Sequence, residues 1–70
     1  MPLTMVRPGQ EVKIIKMNNP ETTCMRLVNM GITPGAPLRL ISRSPSSLLV
    51  GVRETRIMLD NRIAHQIHVQ

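Results

Sequence analysis

The chain has 70 residues, 41% of them apolar and 19% charged, with a net charge of +5. That length suits one domain, and the apolar share excludes a disordered polyelectrolyte. No apolar run approaches the ~18 residues of a membrane span, and with Cys24 as the sole cysteine no internal disulfide can form.

There is no Phe, Tyr or Trp, so the core must come from Ile, Leu, Val and the six Met. Seven of the nine basic residues are arginine, and the sequence pI is near 11.3. This balance suits an acidic partner, a nucleic acid or a negative surface, as well as a merely soluble basic domain. The opening MPLTMVRPGQ lacks the apolar stretch of a secretory signal, so a cytoplasmic location is expected.

PGQEVKII (8–15) and PGAPLRLI (34–41) share one pattern: Pro-Gly, two residues, apolar, basic, apolar, Ile. In each, proline and glycine suit the central positions of a type II turn that feeds a strand. The first strand is expected from Glu11 to about Met17. Asn19 then reads as a helix N-cap, Pro20 as the first helical residue and Glu21 as a favourable charge at the helix start. A helix from about Pro20 to Met30 would place Thr23, Cys24, Leu27 and Met30 on its inner face. Gly31 falls where a left-handed residue ends a helix, and Ile32 is then positioned to pack back on Leu27. Thr33, Pro34, Gly35 and Ala36 form the turn into the next strand.

From there the pattern alternates. Leu38 and Leu40 are expected inward, with Arg39, Ile41 and Arg43 outward. Residues 44–47 read as a loop. Leu48, Val50 and Val52 point inward, and Glu54-Thr55 reads as a tight connection that lacks the usual glycine or asparagine. Ile57 and Leu59 again point inward. Asp60 suits the cap of a single helical turn, NRIAH, before a short strand that buries Ile67 and Val69. The expected fold is mainly β: four or five short strands in a small, curled antiparallel sheet or barrel, with one short helix inserted after the first strand.

These elements resemble the FeoA family of ferrous iron uptake. RLVNMGITPG (26–35) is similar to the family's helix-end motif of Arg-Leu, Gly, an aliphatic residue and Pro-Gly. LTMVRPGQEVKI (3–14) resembles its opening, and IML…AHQIHV its closing pattern. The resemblance spans nearly the whole chain in order. It implies an SH3-like barrel, a domain that also occurs at the end of some metal-dependent repressors. It further implies a non-enzymatic accessory protein that contacts FeoB, a membrane iron transporter with a cytoplasmic G domain.

Three surfaces are candidates for contact. The first is the outer face of the helix, with Met25 and Val28 flanked by Arg26 and Asn29, set against the ordinary scatter of surface apolar residues. The second is a basic face of Arg39, Arg43, Arg53, Arg56 and His68, suited to carboxylates or phosphates. It carries the alternative reading, a nucleic-acid-binding barrel, which the absence of stacking aromatic rings disfavours. The third is metal, for which His65 and His68, with Asp60 and Cys24 distant in sequence, are the candidate ligands. They make no recognisable ligand spacing, so neither a metal site nor a cofactor is expected. No Ser-His-Asp grouping or phosphate loop is visible, and an enzyme is not expected. Gly31, Pro34 and Gly35 are read as structural turn residues. Self-association through exposed strand edges is left open.

Overall fold

The computed structural model describes residues 1–70. In chain order a 3-10 turn (Leu3–Met5) precedes β1 (Glu11–Met17), α1 (Glu21–Asn29), β2 (Pro37–Arg43), β3 (Ser47–Val52), β4 (Thr55–Asp60), α2 (Asn61–His65) and β5 (Ile67–Val69). The five strands form one sheet in the order β4-β3-β2-β1-β5, with every neighbouring pair antiparallel.

Alternation decides which side chains meet inside. Val12 and Ile14 of β1, Leu38 and Leu40 of β2, Leu48, Val50 and Val52 of β3, and Ile57 and Leu59 of β4 are buried. Ile67 and Val69 of β5 join them, and Leu3, Val6, Leu27, Ile32 and Ala64 close the ends of the same core. The sheet curls because register slips at Ile15 in the β1–β5 ladder and at Ile41 in the β2–β3 ladder. Extra residues of this kind bend a strand and increase its twist. The N-terminal segment then covers β5: Pro2 bridges His68, the Met1 amine donates to the Val69 carbonyl at 3.0 Å, and the Val69 amide donates to Met1 at 2.8 Å.

Both Pro-Gly turns form as expected. The Gln10 amide donates to the Arg7 carbonyl at 3.1 Å and the Ala36 amide to Thr33 at 3.0 Å, with Gly9 at φ 87° and Gly35 at φ 91°. Gly31, at φ 91°, ends α1 in a Schellman arrangement. Its amide donates to Val28 and the Ile32 amide to Leu27, each at 2.9 Å.

Several expectations are corrected. Asn19 does not cap α1, which starts after Pro20 with no side-chain cap bond. Instead Asn19 is buried, and its Nδ2 donates to the Ile63 carbonyl of α2 at 3.0 Å. A tertiary acceptor has won over the local cap. Met30 lies beyond the last helical residue and is 42% exposed rather than inward. The β3–β4 connection is Arg53-Glu54, not Glu54-Thr55, since Val52 pairs with Thr55. Arg53 takes the positive φ of 56° that a glycine would otherwise supply. Ser47 belongs to β3 rather than to the loop. Asp60 does cap α2, with its Oδ1 accepting from the Arg62 amide at 2.7 Å.

Candidate functional site

α1 is fixed at both ends and exposed between them. At its start, the Asn18 amide donates to Gln66 at 2.9 Å, Asn19 holds Ile63, and the Cys24 thiol donates to the Asn19 carbonyl at 3.3 Å. At its end, a Cβ on Gly31 would lie 3.3 Å from Cγ1 of Val52, so the corner rests directly on β3. Within the helix only Leu27 is buried.

That arrangement puts the sequence-predicted residues outside. Met25 is 62% exposed and Val28 47% exposed, with Arg26 and Asn29 exposed beside them. Met25, Val28 and Asn29 stand at i, i+3 and i+4, so they share one face opposite Leu27. Met30 adds a further exposed apolar side chain at the helix end. The result is an apolar strip with one cation, on a helix whose ends hold its orientation. Such a surface offers adaptable methionine contact.

The basic face is broken up. Arg39 pairs with Gly51, and Gly51 with Arg56, in one row across β2, β3 and β4. Glu11 stands opposite Arg39 at the other end of that row, placing a carboxylate within the arginine cluster. A depression of about 200 Å³ lies over Gly51, lined by Glu11, Pro37, Leu38, Arg39 and Arg53. Arg53 reaches it from the hairpin turn, not from a strand. Arg43 is not free for a ligand. Its Nη1 donates to the Thr4 carbonyl at 3.0 Å and its Nη2 to the Val6 carbonyl, tying β2 to the 3-10 turn. Alternation placed Arg43 outward correctly, but its side chain serves the fold.

Metal-ligand types do not converge: no three of His, Cys, Asp and Glu come together. His65 lines an open depression of about 620 Å³ with Thr4, Asn61, Arg62 and Gln66, while His68 lies on β5 opposite Lys16. That depression between the 3-10 turn and α2 was not read from the sequence. Its walls are far apart in the chain, and no motif joins them.

A curled five-stranded antiparallel sheet with one helix between its first two ladder strands is a small SH3-like barrel. The FeoA domain model matches residues 1–70, and the chain belongs to the FeoA family. A crystal structure of an iron uptake regulatory protein (FeoA) shares the fold with a TM-score of 0.91 at 24% identity, over 100% of this chain and 95% of that one. The FeoA protein of Chlorobium tepidum gives 0.94 at 19% identity, over 100% of this chain and 69% of that one. ScaR, solved with bound Cd2+, gives 0.89 at 18% identity, over 100% of this chain and 34% of that one. The same barrel thus also stands within longer chains. No curated protein matches by sequence. No helix is long and apolar enough to cross a membrane.

Proposed function

We propose that this protein is a non-enzymatic accessory factor of ferrous iron uptake. It acts in the cytoplasm by docking on the G domain of a FeoB-like membrane transporter. The carrying observation is the outer face of α1, where Met25 and Val28 are exposed on a helix held at both ends. Membership of the FeoA family supplies the iron context. A fixed helix presents its apolar strip without first being ordered, which lowers the cost of association. Arg26 adds a cation able to meet a carboxylate at the rim of such an interface.

The nucleic-acid alternative gains nothing from the geometry. Arg43 is occupied by backbone carbonyls, and Glu11 faces Arg39, setting a carboxylate at the end of the row that Arg39 and Arg56 share.

Calorimetric titration of the full chain with the isolated G domain tests the docking. Saturable binding that is lost in Met25→Asp and Val28→Asp, with thermal midpoints unchanged, supports it. Undiminished binding by both folded variants rules out this face, and no binding by the natural chain rules out the partner.

A further inference from the structure

The two edges of the sheet differ. β5 is covered by the N-terminal segment through Pro2 and Met1. β4 pairs only with β3 and is the other end of the sheet. It carries no proline, and its ladder to β3 has no bulge. Proline and a bulge are two of the devices that keep an edge from pairing with another chain; the charges β4 does carry, Arg56 and Asp60, are of opposite sign.

The register shows which groups that edge offers. A two-residue connection closes on Val52 and Thr55, which makes them a hydrogen-bonded pair. Hydrogen-bonded and non-bonded pairs alternate along an antiparallel ladder. Thr55, Ile57 and Leu59 therefore turn their main-chain groups to β3, while Arg56 and Met58 turn theirs to the open edge. On the outer face, Met58 is 69% exposed, the largest such value among the exposed large apolar residues. Arg56 lies two residues before it and Asp60 two after it, both exposed.

We infer that β4 pairs antiparallel with β4 of a second copy, in the register that sets Met58 against the partner's Met58. A twofold axis then lies through the methionine pair. Arg56 of each chain stands opposite Asp60 of the other, and Ile57 opposite Leu59 on the inner side. Shifting the register by two residues sets Arg56 or Asp60 against Met58 and loses the charge pairing. Asp60 uses Oδ1 to cap α2 and to meet Arg62 of its own chain at 3.6 Å, an ion pair whose arginine is 95% exposed; the Asp60 side chain remains 48% exposed, which leaves the carboxylate accessible to a second cation. Each chain carries a net charge of +5, which opposes association. At physiological ionic strength that repulsion is screened beyond about 8 Å, whereas the paired charges sit at contact distance. The α1 face takes no part, so this dimer does not depend on the docking proposed above.

Sedimentation velocity from micromolar to millimolar chain, joined to cysteine cross-linking, tests the inference. The natural chain should show a concentration-dependent dimer, and Arg56→Glu should weaken it by about tenfold or more through charge repulsion. Met25→Asp should leave it unchanged. In a Cys24→Ser background, Met58→Cys should form a covalent dimer on mild oxidation, because a hydrogen-bonded pair spans about 5.5 Å between Cα atoms. Arg56→Cys should not, since in this register the two copies of position 56 lie about 14 Å apart. A natural chain that stays monomeric at every concentration overturns the inference and leaves the edge to a strand from another protein. Equal cross-linking at both positions overturns the register.

Discussion

The amide of Gly9 donates to the carbonyl of Leu40 at 2.6 Å, and the Leu40 amide returns a bond to Gln10 at 3.1 Å. The second Pro-Gly turn repeats this with exchanged roles. Gly35 donates to Ile14 at 2.8 Å, and Ile14 donates to Ala36 at 3.0 Å. Each turn thus closes on the strand that the other turn feeds, about a local twofold through the Val12–Leu38 pair. The matched segments even end alike, with a register slip at Ile15 in one and at Ile41 in the other. The sequence echo is a structural pair, not a coincidence of turn residues.

Equivalent roles should have equivalent costs. Nothing lies within 4 Å of a Cβ built on Gly9 or Gly35, so only their positive φ resists substitution. Gly9→Ala and Gly35→Ala should each cost about 1 kcal/mol, left-handed strain offset in part by a stiffer unfolded chain. In thermal unfolding that is a fall of about 4–8 °C. The two variants should agree closely with each other.

Gly31 should be less tolerant. It shares the positive φ of 91°, but an added Cβ also meets Val52 Cγ1 at 3.3 Å. Gly31→Ala should exceed the cost of Gly9→Ala, and Gly31→Val should lose about 2–3 kcal/mol as a branched side chain is forced against the core. Chemical denaturation of the three variants side by side gives the ranking. A Gly31→Val protein of normal stability is incompatible with this description of the corner.

Arg43 should behave as a strut. Arg43→Met keeps the aliphatic stem but leaves the Thr4 and Val6 carbonyls without their donors. The expected loss is about 1–2 kcal/mol. Arg43→Lys keeps the charge without the two-pronged geometry, so it should fall between the natural chain and Arg43→Met. Hydrogen exchange should localise the loosening to the 3-10 turn, whereas a uniform loss of protection would point to a different role.

Arg53 marks a place where stability can be raised. It holds φ 56° in the β3–β4 turn, a conformation that costs an L-residue about 1–2 kcal/mol relative to its preferred regions. Arg53→Gly removes that strain at a smaller entropic cost, for a net gain of about 0.5–1 kcal/mol. Equilibrium denaturation reads the gain directly, and a destabilised Arg53→Gly would show that the side chain contributes more than its backbone costs.

Much of this fold was legible because local chemistry and tertiary need agree. Alternation along Leu48, Val50 and Val52 and the glycines at positive φ each have one reading. The failures occur where a distant group decides. Asn19 is a good cap by type, but the Ile63 carbonyl, 44 residues away, takes its amide. Arg43 lies on the face that alternation assigns it, yet its acceptors lie 39 and 37 residues earlier. The hairpin turn sits one residue earlier than the sequence suggests because arginine, rather than glycine, occupies its left-handed position. Of the site, the orientation of α1 was readable from helical spacing around Leu27. The separation of Arg43, tied to the Thr4 and Val6 carbonyls, from Arg39 and Arg53 at the Gly51 depression was not, since no periodicity encodes where a long side chain ends.

Docking through the outer face of α1 is tested residue by residue in an NMR titration of isotope-labelled protein with the unlabelled G domain of the transporter. Amide shifts or line broadening should concentrate on Met25, Arg26, Val28 and Asn29, fade toward Leu27 and leave the Gly51 depression unchanged. Perturbations centred on Arg39 and Arg53, with α1 silent, would place the partner on the Gly51 depression instead.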